Sequence, residues 1–192
     1  MNKLALSTAA ALIFTGSAVA ADNSAGGTLH FSGAVTDATC TINGGASANL
    51  TIVLAPISVT QAGQKEGLID FGKKAFSLEF SNCQSNAAGF DPATSMLKIH
   101  FSSAHAIAND GKYLMNQELN ASGKPKNVGI AIVKYAEENT PIMLNKALDT
   151  GIKGSTPAPE VVDFYAKYYK VGTADAEPGK VITTVTYHVA YL

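Results

Sequence analysis

The stretch Gly26-Gly27-Thr28-Leu29-His30-Phe31-Ser32-Gly33-Ala34-Val35 alternates apolar side chains with small or polar ones. A second stretch, Val185-Thr186-Tyr187-His188-Val189-Ala190-Tyr191-Leu192, does the same at the other end of the 192-residue sequence. In a β-strand every second side chain points to one face. The first stretch therefore aims Leu29, Phe31 and Val35 one way, and the last aims Val185, Tyr187, Val189 and Tyr191 one way. Neither strand needs the other. The leading one, behind a small polar lead, reads as a strand that can be lent to a neighbour.

The chain between them reads as short strands separated by Gly, Asn, Asp and Pro. Phe76-Ser77-Leu78-Glu79-Phe80 and Leu97-Lys98-Ile99-His100-Phe101 alternate cleanly. Val128, Ile130 and Ile132 share a face, as do Phe164, Ala166 and Tyr168 within 163–169. Leu50 to Val59 is apolar and β-branched but broken by Pro56, which suits an edge or a switch between sheets. Gly151 to Glu160, with Pro157 and Pro159, reads as a loop. Counting the ends, at least seven strands result. No helical periodicity of useful length follows residue 20, and an antiparallel β-sandwich is implied.

Residues 1–20 have the pattern of a signal peptide. Lys3 supplies the positive start, Leu4 to Phe14 is mostly apolar, and Ala18-Val19-Ala20 offers small residues for cleavage before Ala21. That run is too short to span a bilayer. Removing 20 of the 192 residues leaves 172, enough for one domain. Two cysteines, Cys40 and Cys83, remain in what is then an exported chain, and a single disulfide is the expected outcome. On the chain-entropy view such a bridge contributes up to about 4 kcal/mol.

The charge is nearly balanced, with 14 basic residues against 15 acidic ones, and every basic residue is lysine. Bidentate recognition of phosphate or guanine leans on arginine, so nucleic acid is not an expected partner. The four histidines, His30, His100, His105 and His188, lack the spacing of a metal site and are expected to face solvent. Glu137 and Glu138 are adjacent and so point apart, as in a solvated turn. No nucleophile elbow, phosphate loop or Cys-x-x-Cys motif occurs. No catalytic residue, metal or cofactor is therefore expected.

Several pieces occur in a joint order: Gly26 to Phe31 with Gly33; Cys40 with Phe80-Ser81-Asn82-Cys83; Asn127-Val128-Gly129-Ile130; Phe164 to Tyr169; and the penultimate Tyr191. On these the chain resembles the structural pilins of chaperone–usher fimbriae, specifically type 1-like major subunits. The resemblance implies an all-β fold, an incomplete immunoglobulin-like β-sandwich completed by a donor strand from a neighbouring subunit. It divides the chain into a signal peptide (1–20), an N-terminal donor extension (21–33) and a pilin domain (34–192). Ala25, Gly27, Leu29, Phe31 and Gly33 would be the inward residues of the donor strand. Val185, Tyr187, Val189 and Tyr191 would lie on the acceptor and chaperone-facing strand.

The implied partners are identical or related pilins, a periplasmic chaperone and an outer-membrane usher. The implied destination, through the periplasm, is a fimbrium on the bacterial surface that supports adhesion. Two alternatives stand beside this: a minor, adaptor or terminator pilin, and a self-sufficient secreted sandwich that binds carbohydrate through its loops.

Overall fold

A computed structural model describes residues 39–45, 48–85, 88–123, 126–154 and 158–191. All lie within Phe31–Leu192, one of the two units into which the chain divides. The expected signal peptide, the extension at 21–33 with its five inward residues, and His30 lie outside the described residues.

The described residues form eight strands: β1 (Thr39–Ile42), β2 (Gly67–Leu68), β3 (Lys74–Gln84), β4 (Met96–Ser102), β5 (Val128–Lys134), β6 (Leu148–Lys153), β7 (Glu160–Lys170) and β8 (Thr186–Tyr191). One sheet runs β1-β3-β7-β2 with β5 on β7; the other runs β6-β4-β8. Every pairing is antiparallel. Between the sheets sits a core in which Leu78, Phe80, Leu97, Ile99, Leu144 and Phe164 are fully buried. A smaller cluster of Ala62, Ile69, Val128, Tyr168 and Ala176 packs beside Leu54, Ile57 and Val181.

Strict alternation from Phe80 would turn Cys83 to the outer face. Instead, the β1–β3 register slips between Thr39↔Gln84 and Thr41↔Ser81, giving β3 one residue more than β1. Asn82 takes up that extra residue at φ 49°, in the left-handed region that asparagine tolerates better than most residues. The bulge puts Cys83 on the same face as Leu78 and Phe80, buried and bonded to Cys40 of β1.

Three expectations are corrected. Leu50 to Val59 enters no ladder across 49–58; it is an extended, unpaired segment ending in a one-turn helix, α1 (Val59–Ala62). A reciprocal cap nucleates that turn: Ser58 Oγ accepts from Gln61 N, and Gln61 Oε1 accepts from Ser58 N. Gly151 to Glu160 is not all loop, because β6 runs on to Lys153, which pairs with Met96, and Glu160 opens β7. Pairing with β4 outweighs the local Gly and Pro signals there.

The third correction concerns His100 and His188. They are half-buried cross-strand partners on β4 and β8, while His105 is exposed. Glu138 lies beside the turn Tyr135–Glu137 and pairs with Lys73.

The central strands are buried on both faces. Along β7 every residue from Ala166 to Lys170 is buried, including two lysines. Lys167 Nζ donates to Asp70 Oδ1 at 2.9 Å and to the Glu138 carbonyl at 3.3 Å. Lys170 Nζ donates to the carbonyls of Val171, Gly172 and Ala174. Each ammonium is thereby supplied with acceptors, the condition under which a buried lysine is tolerated. On β5, a Cβ at Gly129 would run into the Leu114 carbonyl oxygen, so glycine lets the 114 segment close onto the strand. Leu114 and Ile130 exchange both backbone hydrogen bonds there, at 2.7 and 2.9 Å.

Candidate functional site

Among the described residues β8 pairs with β4 along one edge and enters no ladder along the other, and its chain neighbours 181–185 belong to no ladder. Facing this edge across a gap is the extended segment 48–54, which forms no ladder among the described residues. The two rails run in opposite directions. At one end the Tyr187 hydroxyl donates to the Ala48 carbonyl at 2.6 Å, and at the other Leu54 and Val181 pack on the same small cluster.

Both rails alternate. Val181, Thr183, Val185 and Tyr187 are half-buried while Ile182, Thr184 and Thr186 are exposed; Ile52 and Leu54 are half-buried while Thr51 and Val53 are exposed. The groove between them has a volume of about 810 Å³. It opens onto the core itself: Phe76 and Leu78 of β3, Ile130 and Ile132 of β5, Ala166 and Tyr168 of β7, and Phe101 of β4.

The rail from 181 to 187 is held from behind by one buried side chain. Asn116, 3% exposed, donates from Nδ2 to the Lys180 carbonyl at 2.9 Å. Its Oδ1 accepts from Ile182 N at 2.9 Å and from Glu118 N at 3.0 Å. Gln117 N donates to the Ile182 carbonyl at 2.8 Å. Ile182 thus spends both backbone groups on the 116–117 segment. In an extended strand successive residues point these groups to opposite sides, so those of Val181 and Thr183 point toward the gap.

Of the four expected acceptor residues, Val185 and Tyr187 line the groove. Val189 and Tyr191 pack against the core farther along β8, opposite Ile99 and Leu97 respectively. Tyr191 stacks at a tilt on Phe90 and donates to the Gly154 carbonyl at 2.9 Å. Burial pushes the phenols of Tyr187 and Tyr191 above their ordinary value, which keeps both as hydroxyl donors across the physiological range.

Sequence reasoning missed the opposite rail, the residues at 181–183 and Asn116. The alternation of Val181, Thr183 and Val185 was a readable signal, since it only prolongs the pattern that begins at Val185. Nothing local marks Asn116, whose role depends on contacts 64 and 66 residues away. Among the described residues no three His, Cys, Asp or Glu side chains are grouped as a metal would need.

What these features define, among the described residues, is an antiparallel β-sandwich with a strand-shaped opening. Among the solved structures that share this fold, two illustrate the likeness. One is of a chaperone–usher pilus, at TM-score 0.57 and 17% identity over 87% of this chain and 96% of that one. The other is the P pilus rod subunit PapA, at TM-score 0.55 and 15% identity over 80% of this chain and 99% of that one. The sequence pattern of the family described as Fimbrial protein matches residues 29–192, so the chain belongs to that family.

Its relatives include the S-fimbrial protein subunit SfaA of Escherichia coli O6:K15:H31, 30% identical over 86% of this chain and 83% of the relative. The minor fimbrial subunit HifD of Haemophilus influenzae is 34% identical over 82% and 69%. The type-1 fimbrial protein A chain of Escherichia coli K12 is 25% identical over 100% and 94%.

Proposed function

We propose that the chain is a structural fimbrial subunit that polymerises head to tail, each copy laying its extension 21–33 into the groove of the next. The observation that carries this reading is the groove, with two alternating rails that share no ladder among the described residues and core side chains lining the floor between them. Such an opening is an aggregation hazard for a lone molecule, because a strand edge outside any ladder invites another strand. A donated strand fills it in the manner of β-strand addition.

The dimensions agree. The seven-residue rails 48–54 and 181–187 span roughly 23 Å at about 3.3 Å per residue. The nine residues from Ala25 to Gly33 cover that length with a margin at each end. Leu29 and Phe31 are the main plugs, each contributing about 1.5–3 kcal/mol when fully buried. Gly27 and Gly33 meet shallower parts of the groove. Val185 and Tyr187 form the acceptor wall, and Val189 and Tyr191 hold it to the core.

On this reading the role is assembly and not catalysis. A periplasmic chaperone shields the groove before an outer-membrane usher exchanges it for the next subunit, and the product is a surface fimbrium. A minor or adaptor subunit is the second reading, favoured by the 34% identity to a protein named as minor. A self-sufficient sandwich is disfavoured by the groove.

Electrophoresis of assembled material with and without heating tests the proposal. Donated strands leave only across a high kinetic barrier, so a ladder of oligomers is expected at room temperature and monomer after boiling. A chain lacking 21–33 should still accept a peptide of that sequence yet form no ladder. Monomer in both lanes, or a ladder from the truncated chain, would refute strand donation.

A further inference from the structure

We propose that Tyr135 and Tyr165 form an oxidative modification site, at which a one-electron oxidant of the haem-peroxidase class joins the two rings into a dityrosine within one chain. The site stands whether or not strands are donated, because neither ring lines the groove. On β7, Phe164 points into the core and Ala166 lines the groove, so Tyr165 between them faces the outer side of the larger sheet. Val133 of β5 lies opposite Tyr165 in the ladder. Tyr135 follows two residues later, after an extended Lys134, as the first residue of the turn Tyr135–Glu137. The period of two therefore brings Tyr135 to the same outer side.

There the two rings stack, with centroids 4.9 Å apart and planes 20° from parallel. Their hydroxyls share a hydrogen bond. The ring carbons that couple in a dityrosine are those next to the hydroxyl-bearing carbon, so a bond between the hydroxyls sets these carbons side by side. The Lys73 ammonium, itself paired with Glu138, lies 4.6 Å from the centre of the Tyr165 ring, and this second contact holds that ring in place.

Selectivity comes from what surrounds the pair. Of the seven tyrosines Tyr135 alone is exposed, at 56%, so an oxidant arriving from solvent meets it first. The chain has no tryptophan to give up an electron instead, and both its cysteines are spent in the bridge, so no thiol is present to quench a tyrosyl radical. A second stacked pair, Tyr113 and Tyr169, is closer at 4.6 Å, but Tyr169 is buried. In the reaction each phenol loses one electron to the oxidant and its hydroxyl proton to water. The two radicals then form a carbon–carbon bond, and the hydrogen on each joined carbon moves to its oxygen to restore the hydroxyl. The two hydrogen equivalents removed reduce one hydrogen peroxide to two waters. The product ties β7 to the turn that follows β5.

The test treats the full mature chain, bridge intact, with a haem peroxidase and hydrogen peroxide, using a mixture of isotope-labelled and unlabelled copies. Dityrosine fluorescence should appear, with the mass of two hydrogens lost per chain. After digestion, a cross-linked pair of peptides holding Tyr135 and Tyr165 should carry the label in both halves or in neither. Tyr135→Phe and Tyr165→Phe each keep a stacking ring and remove one hydroxyl, and each should abolish the product. Tyr113→Phe should leave its yield unchanged.

Dityrosine that persists in Tyr135→Phe would overturn the assignment, as would a cross-link with the label in one half only, since the coupling would then run between copies. Oxidation of the exposed Met143 with no dityrosine in the parent would show that the oxidant acted and the pair did not couple, and would overturn it too. None of these outcomes bears on strand donation, which the electrophoresis above tests separately.

Discussion

Asn82 is one residue on which the bridge depends. Its left-handed backbone supplies the bulge that swings Cys83 inward, and a branched side chain there would meet the carbonyl clash that L-residues avoid. Asn82→Val should lower stability by about 1–2 kcal/mol in denaturant unfolding, whereas Asn82→Gly should stay near the parent. Equal midpoints for the two would show that the bulge is not strained. This detail was not legible in the sequence. The alternation of Phe76, Leu78 and Phe80 sets the phase of β3, but only the pairing partner shows that the phase shifts before Cys83. Lys167 and Lys170 escaped for a similar reason: their acceptors come from Asp70, Glu138 and the 171–174 turn, which the local pattern does not announce.

At the scale of elements, the rails differ in how they are held. The 181–187 rail continues a paired strand and is clamped by Asn116. The 48–54 rail is fastened near its ends, by Tyr187 at Ala48 and by packing around Leu54. Asn116→Ala should leave the Ile182 amide without its partner, at a cost of about 1–3 kcal/mol. It should also speed release of a bound donor peptide, since the rail would no longer present its edge at a fixed height. A loss of stability with unchanged release would assign Asn116 to the fold alone.

The paired strands β3, β4, β5, β7 and β8 were readable because each carries a clean period of two or a continuous apolar run. Within the rail, Leu50 to Leu54 was readable as apolar and β-branched, but no local feature shows whether such a segment enters a ladder. Pro56 signalled an edge strand or a switch between sheets, whereas the segment is extended and enters no ladder among the described residues.

For the molecule as a whole, the bridge between β1 and β3 ties one margin of the larger sheet to its middle. Ile42, at the end of β1, lines the groove, so the bridge also steadies its floor. Replacing Cys40 and Cys83 together by serine should cost about 2–4 kcal/mol of stability, measured by denaturant unfolding of the reduced and oxidised parent alongside the variant. A variant as stable as the oxidised parent would show the crosslink to be dispensable.

The opposed directions of the two walls have one more effect. Anything lying between them runs with one and against the other, so turning it end for end produces a different contact, not an equivalent one. A stack joined through such contacts has a built-in arrow, its two tips differing in which half of the contact they leave unused. Nothing in the repeating contact tells it when to stop, so the contact by itself sets no length.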